Sequence, residues 1–261
     1  MSKYERLNRL LELLAADGHV SVEDAAVRLD VSPATVRRDL DALALQQLLT
    51  RTHGGAVSNS TAYDLPLRYK TARNAEEKVR IARAAAELAP LGSVVGLNGG
   101  TTTTEVARAL ATRADLHSSN EASSITVVTN ALNIANELTV RSHVKIVVVG
   151  GVLRPQSYEL SGPLANPMLS QLTLDLAILG VDAFGTERGA SAHNEAEAEI
   201  NARLGRQARR VVVVADSSKL GRAAFAQILP LSEVDVLVTD SGADPELLKE
   251  LIKADVEVIE A

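Results

Sequence analysis

The stretch VSPATVRRDLDALALQQLLTRTHGGAV, residues 31–57, decides how the first part of this chain folds. Ser32 is a natural N-cap, because its hydroxyl can accept a hydrogen bond from an amide of the first helical turn. Pro33 suits the first helical position, where a missing N–H costs nothing. Val36, Leu40 and Leu43 follow at steps of four and three and give the helix one apolar face. The run LLTRTHGGAV, residues 48–57, is β-prone and broken by Gly54-Gly55, which predicts a small hairpin.

Working outward toward the N-terminus, Tyr4, Leu7, Leu11 and Leu14 line one helical face, and Gly18 ends that helix. Ser21 opens a second helix with Asp24 as a capping-box partner, and Val22, Ala25, Ala26 and Leu29 face inward. Three short helices and a hairpin make a winged helix-turn-helix, expected over residues 1–57. Residues 58–74 are polar, include Pro66 and have no period, and are expected to be a linker. Residues 75–261 form the second domain.

In such a motif the third helix enters the major groove and reads bases with its N-terminal residues. Thr35 and Arg38 share a face here, with Ala34 and Arg37 beside them, turned away from Val36, Leu40 and Leu43. The arginines can offer paired donors to guanine or bind phosphate. Ser32 and the amides after it are candidate phosphate contacts. Arg51 and His53 flank the wing and can touch the DNA backbone or minor groove. An isolated arginine pair reads as solvated surface charge; the helix order, the caps and the hairpin together favour the recognition helix.

Bulk charge does not carry this reading. The chain is 261 residues long with a formal net charge of −6. In the first domain, Lys3, Arg6, Arg9, Arg28, Arg37, Arg38 and Arg51 face eight acids between Glu5 and Asp41. Affinity for phosphates depends on where the cations sit. Aromatic residues make up 2% and Trp is absent, which argues against stacking platforms for single strands. With no Cys, disulfides and thiolate metal sites are excluded, and a reducing interior fits. No apolar stretch approaches the roughly 18–20 residues of a membrane span, and the charged N-terminus does not read as a signal peptide. A cytoplasmic protein with no membrane partner is expected.

From Ala75 onward, amphipathic helical stretches alternate with VVGL (94–97), ITVVT (125–129), VKIVVV (144–149), LAILG (176–180), VVVVA (211–215) and VDVLVT (234–239). Near-continuous apolar strands separated by helices predict a mostly parallel sheet covered on both faces. HSSNEASS, residues 117–124, reads as a polar surface loop.

Strand VVGL runs through Asn98, Gly99, Gly100, Thr101, Thr102 and Thr103 into a helix, the arrangement of an anion cradle. A capping box of Thr102 with Glu105 explains the same residues structurally. Other polar residues fall at strand ends, where open α/β sheets bind ligands. They are Asn130, the pair Gly150-Gly151, Asp182, the pair Asn194-Glu195, and the run Asp216 to Lys219. Singly each reads as a turn or cap. Together, Thr101, Thr102 and Lys219 supply phosphate donors, and Asn130, Asp182 and Glu195 supply hydroxyl-binding groups, an inventory suited to a phosphorylated polyol. No metal-ligand spacing occurs, so neither metal nor cofactor is expected.

Residues 31–57 resemble the N-terminal signature of the DeoR family of bacterial repressors: a Val-Ser start, Thr-hydrophobic-Arg-Arg-Asp-Leu, and a closing His-Gly-Gly-Ala. The resemblance extends through GGTTT (99–103), ITVVTN (125–130), VVVGGVLRPQS (147–157), LSGPLA (160–165), LAILGVDA (176–183), NEAEAEI (194–200) and ADSSKLGR (215–222). It implies an effector domain similar to ribose-5-phosphate isomerase and glucosamine-6-phosphate deaminase, with Asn98 to Thr103, Asn130, Asp182, Glu195 and Lys219 lining a sugar-phosphate pocket. Gln47 stands where the family usually has Gly, Asn98 where Asp is common, and Ala183 where Gly is common.

The expected function is a homodimeric or homotetrameric repressor of carbohydrate catabolism that leaves double-stranded operator DNA when a sugar phosphate binds. An activator is the alternative. A sugar-phosphate isomerase or deaminase with a DNA-binding appendage ranks last, because Asp182, Glu195 and the neighbouring His193 fall short of a full acid–base constellation.

Overall fold

The computed structural model describes residues 1–46, 48–58, 66–70, 74–117 and 124–261. Gln47, residues 59–65 and 71–73 of the expected linker, and residues 118–123 of the expected polar loop lie outside the described residues. The chain divides into two compact units, Met1–Arg73 and Asn74–Ala261.

The first unit runs α1 (Lys3–Asp17), β1 (His19–Ser21), α2 (Val22–Leu29), α3 (Pro33–Leu45), β2 (Leu49–Thr52), β3 (Gly55–Ser58) and α4 (Leu67–Lys70). Each of the first three helices starts at a serine. Ser2 and Glu5 form a capping box, Ser21 accepts from the Asp24 amide, and Ser32 accepts from the Thr35 amide. The Asp24 side chain turns instead to Arg28, 3.4 Å away. Leu10, Leu40 and Leu43 are fully buried where α1 and α3 meet. Burying one such leucine is worth about 1.5–3 kcal/mol.

The wing is larger than the expected hairpin. Strand β1 joins β3, giving an antiparallel sheet in the order β1-β3-β2. Gly54, with φ at +100°, makes the turn. Gly55 is needed because β1 crosses it: a Cβ there would strike the Val20 carbonyl oxygen. Residues 67–70, expected as linker, form a short helix belonging to this unit. Tyr69 is buried, stacks on Tyr4 with ring centroids 6.2 Å apart, and donates its hydroxyl to Gln46 at 2.7 Å.

The second unit begins with α5 (Ala75–Glu87), β4 (Val94–Leu97), α6 (Thr101–Thr112), α7 (Ala114–His117), β5 (Ile125–Thr129), α8 (Leu132–Leu138) and β6 (Val144–Val148). It continues through β7 (Val152–Arg154), β8 (Glu159–Ser161), α9 (Asn166–Leu169), β9 (Leu174–Gly180), β10 (Ala183–Gly185) and β11 (Gly189–Ala192). It closes with α10 (Glu195–Arg206), β12 (Ala208–Val214), β13 (Ala226–Leu229), β14 (Val236–Thr239), α11 (Pro245–Lys253) and β15 (Glu257–Glu260).

All six runs read as strands lie in one seven-stranded sheet, ordered β15-β14-β12-β9-β4-β5-β6, with every pairing parallel. Side chains alternate between two cores. Val212 and Val214 of β12 pack with Ile81 of α5, Leu110 of α6 and Ile134 of α8. Val211 and Val213 pack with Leu204 of α10 and Leu251 of α11. From β4 the chain builds outward through β5 and β6, then returns to place β9, β12, β14 and β15 on the other side. The sheet therefore reverses direction between β4 and β9, the place where open α/β sheets form a ligand crevice at the carboxyl ends of their strands. Two smaller pieces sit beside the sheet: the β7–β8 hairpin and the antiparallel group β10-β11-β13. No helix among the described residues is long and apolar enough to cross a membrane.

Candidate DNA interface and effector site

On α3, Pro33, Ala34, Arg37 and Arg38 are exposed, and Val36 and Leu40 are buried beneath them. The Ser32 hydroxyl is occupied, meeting the Thr35 amide at 3.2 Å and the Thr35 hydroxyl at 3.0 Å. Arg38 Nε donates to its own helix at Ala34 O, 3.3 Å away, and Arg37 stands 3.8 Å from Glu23. Exposed pairs of that length contribute little and are easily exchanged for phosphate or base. His53 is exposed at the wing turn.

Two arginines have internal tasks. Arg51 Nε donates to Asp41 at 2.8 Å and its Nη1 to the Gly55 carbonyl at 2.5 Å, so it ties the wing to α3. Arg6 grips buried Asp39 with two nitrogens, tying α1 to α3, and that contact raises the Arg6 pKa. The Asp in the Arg-Arg-Asp-Leu run is thus a structural anchor.

At the switch between β4 and β9, Asn98 is buried and faces Gly180. Its Nδ2 donates to Gly180 O at 2.9 Å, and its Oδ1 accepts from Gly180 N at 2.8 Å. Both polar atoms clamp the two strands, which gives the expected effector residue Asn98 a structural task. The Gly99 amide is also taken: it donates to Glu159 Oε1 at 2.5 Å.

The next residues differ. Helix α6 starts at Gly100, with φ at +142°, and no side chain caps it. The capping box of Thr102 with Glu105 does not form. Thr102 is 2% exposed, yet its hydroxyl has no hydrogen-bond partner. Thr103 and Thr104 turn their hydroxyls back to Gly100 O. Thr101 opens the helix, partly exposed. The start of α6 therefore combines a positive dipole end with a buried hydroxyl that has no partner.

Around this turn the expected Asn130 meets two residues that the sequence did not single out, Glu159 and Asn201. Asn130, at the end of β5, donates to Leu160 O at 3.3 Å and to Asn201 Oδ1 at 3.4 Å, while its own Oδ1 is buried without a partner. Asn201 of α10 donates to Glu159 Oε2 at 3.5 Å. Burial, then the negative charges of Glu197 and Asp182, push the Glu159 carboxyl up to about 8. Asp182 Oδ2 accepts from the His193 amide at 2.9 Å. Beside it, Lys219 Nζ donates to Val181 O at 2.5 Å. Burial works to raise the Asp216 carboxyl, but Ser218, the Lys219 charge, Asn74 and Lys78 together hold it low.

Four expected residues stand apart. Gly150 and Gly151 turn β6 into β7 at the sheet edge, with Gly151 against the Ser161 backbone. Asn194 caps α10 by accepting from the Glu197 amide, and Glu195 is exposed. Among the described residues no group of three or more His, Asp or Glu could hold a metal ion.

Residues 6–62 match the model of a DeoR-like helix-turn-helix domain, and residues 73–241 match that of a DeoR C-terminal sensor domain. The glycerol-3-phosphate regulon repressor of Escherichia coli K12 is 36% identical, over 92% of this chain and 92% of its own. The HTH-type transcriptional regulator GlpR of Haloferax volcanii is also 36% identical, over 98% and 97%. The HTH-type transcriptional repressor CsqR of E. coli K12 is 31% identical, over 97% and 94%.

Proposed function

The chain belongs to the DeoR family of transcriptional regulators, and from that premise we propose that it is a repressor released from its operator by a phosphorylated sugar bound at the start of α6. It is a DNA-binding regulator with a sensor domain, not an enzyme, as its relatives' names agree. The observation that carries the effector reading is the uncapped start of α6 with the Thr102 hydroxyl buried and unpartnered inside it. A buried polar atom without a partner costs about 1–3 kcal/mol, a cost that a bound ligand removes. Asn130 Oδ1, orphaned at the next strand end, suits a sugar hydroxyl, and the Lys219 ammonium adds positive charge.

Ala34, Thr35, Arg37 and Arg38 supply base and phosphate contacts, with Ser32 and His53 at the margins. Paired half-sites require two copies, so a homodimer or homotetramer is part of the proposal. Carbohydrate catabolism is the regulated process, and a cytoplasmic location follows from bacterial operator DNA lying there.

Effector binding to one state of the protein must weaken operator binding, and operator must weaken effector binding equally. A thermal-shift screen of phosphorylated sugars, each beside its unphosphorylated parent, tests the reading. Glycerol 3-phosphate comes first, because one relative is named for it. A midpoint rise that requires the phosphate, followed by loss of operator retardation with the same compound, supports the proposal. A panel without any phosphate-dependent shift overturns its effector half.

A further inference from the structure

Resting on that reading of the site, we propose that Glu159 is a positioning residue for the phosphate turn: its carboxyl braces the Gly99 amide, and tight anion binding at α6 requires it to keep its proton. The geometry comes first. Gly99 N–H donates to Glu159 Oε1 at 2.5 Å, and a Cβ on Gly99 would lie only 2.6 Å from that oxygen. The glycine is therefore required by the carboxyl lying on it.

Glu159 is fixed from both sides in sequence. Tyr158 before it sits in the left-handed region, with φ at +62°, and its carbonyl accepts from the Leu132 amide at 3.0 Å. Leu160 after it donates its amide to Asn130 O at 2.7 Å. The hairpin is thus stitched to the β5–α8 turn around this one carboxylate. A left-handed tyrosine is strained, and such strain persists where the surroundings over-determine it.

The charges facing Glu159 come from three elements. Glu197 lies on α10 and is paired with Arg154 at 2.9 Å, Asp182 follows β9, and Arg154 is the cross-strand partner of Glu159 on β7. The β4–α6 turn contributes Gly99, the β5–α8 turn Asn130, and α10 also Asn201, all uncharged. Burial and the two carboxylates raise the Glu159 carboxyl to about 8, against the hydrogen bonds from Gly99 and Asn201 that lower it, and so favour the neutral acid at pH 7. Neutral, it braces the turn without opposing an anion. Ionised, it places a negative charge on the amide next to the site and competes for the same helix end.

Inorganic sulfate is the probe, because its charge is constant between pH 7 and 9 whereas a phosphate ester still titrates near pH 6. Sulfate affinity of the full chain is measured by calorimetry across that range. If binding needs the proton, affinity falls about tenfold from pH 7 to pH 9. Glu159→Gln, which can brace the amide without ionising, should flatten the profile. Glu159→Ala should bind more weakly than the Gln variant at every pH, with folding of both checked by circular dichroism. A flat wild-type profile, or a Gln variant that keeps the pH dependence, overturns the role of Glu159 while leaving the site intact. Absence of saturable sulfate binding at any pH overturns the site reading and this proposal with it.

Discussion

Asn98 and Gly180 exchange two hydrogen bonds, amide to carbonyl and carbonyl to amide, across the point where the parallel sheet reverses its order. The side chain imitates one more rung of backbone pairing after β4 has ended. Asp, common at this position in the family, could accept from Gly180 N but could not donate to Gly180 O when ionised. Replacing Asn98 with Ala leaves both Gly180 groups without these partners in a partly buried place. We expect Asn98→Ala to lower stability by about 1–3 kcal/mol in urea denaturation. A variant as stable as the parent would show that the clamp is dispensable.

Thr102 makes the opposite case. Its hydroxyl is buried and has no partner, so Thr102→Val removes an unsatisfied polar atom at nearly constant volume. The variant should melt at or above the parent temperature. Its midpoint should nevertheless rise less when the phosphorylated effector is added. Loss of intrinsic stability together with a full effector response would mean that this hydroxyl serves the fold and not the ligand.

Much of the fold was legible because apolar β-branched runs and serine caps are local signals. VVVVA at 211–215 could scarcely be other than a buried strand, and Ser32-Pro33 could scarcely be other than a helix start. What escaped was non-local. Strand β1 is three residues long and becomes visible only through its pairing with β3 and the room that Gly55 leaves for it. Arg51 reads in the sequence as a candidate DNA contact, and nothing there reveals that Asp41 and the Gly55 carbonyl receive it in the fold. Glu159 lies 60 residues from the Gly99 amide it meets, in a short hairpin without a clear alternation. The left-handed Tyr158 beside it has no mark in the sequence, since Gly and Asn are the usual residues there.

The Glu159 carboxyl also sets a pH dependence of stability. In the unfolded chain it releases its proton near 4.5, whereas in the folded chain it holds it up to about 8. Between those values the folded state binds more protons, so this group makes stability fall as pH rises. Asp216 acts with the other sign: its folded pKa is lowered, so its contribution is present above the unfolded value and is lost as pH falls through the folded one. Without ligand, the midpoint of the parent minus that of Glu159→Gln should therefore become more negative from pH 5 to pH 8.5. A constant difference would show that Glu159 ionises normally in the fold.

On the DNA side, exposure and partnership separate residues that look alike in sequence. Arg38 has one internal contact, a 3.3 Å hydrogen bond to its own helix, which costs little to exchange for a base edge. Arg51 has two shorter ones that hold the wing against α3. Arg38→Ala should weaken operator binding by about 1–3 kcal/mol and leave binding to random duplex much less changed, if its guanidinium reads a guanine. Arg51→Ala should weaken both duplexes together, because a loosened wing affects contacts that carry no sequence information. Titrations of both variants against operator and random duplex at two salt concentrations distinguish the roles. An equal loss on both duplexes for Arg38→Ala, with a salt slope reduced by about one, would reassign that arginine to a phosphate.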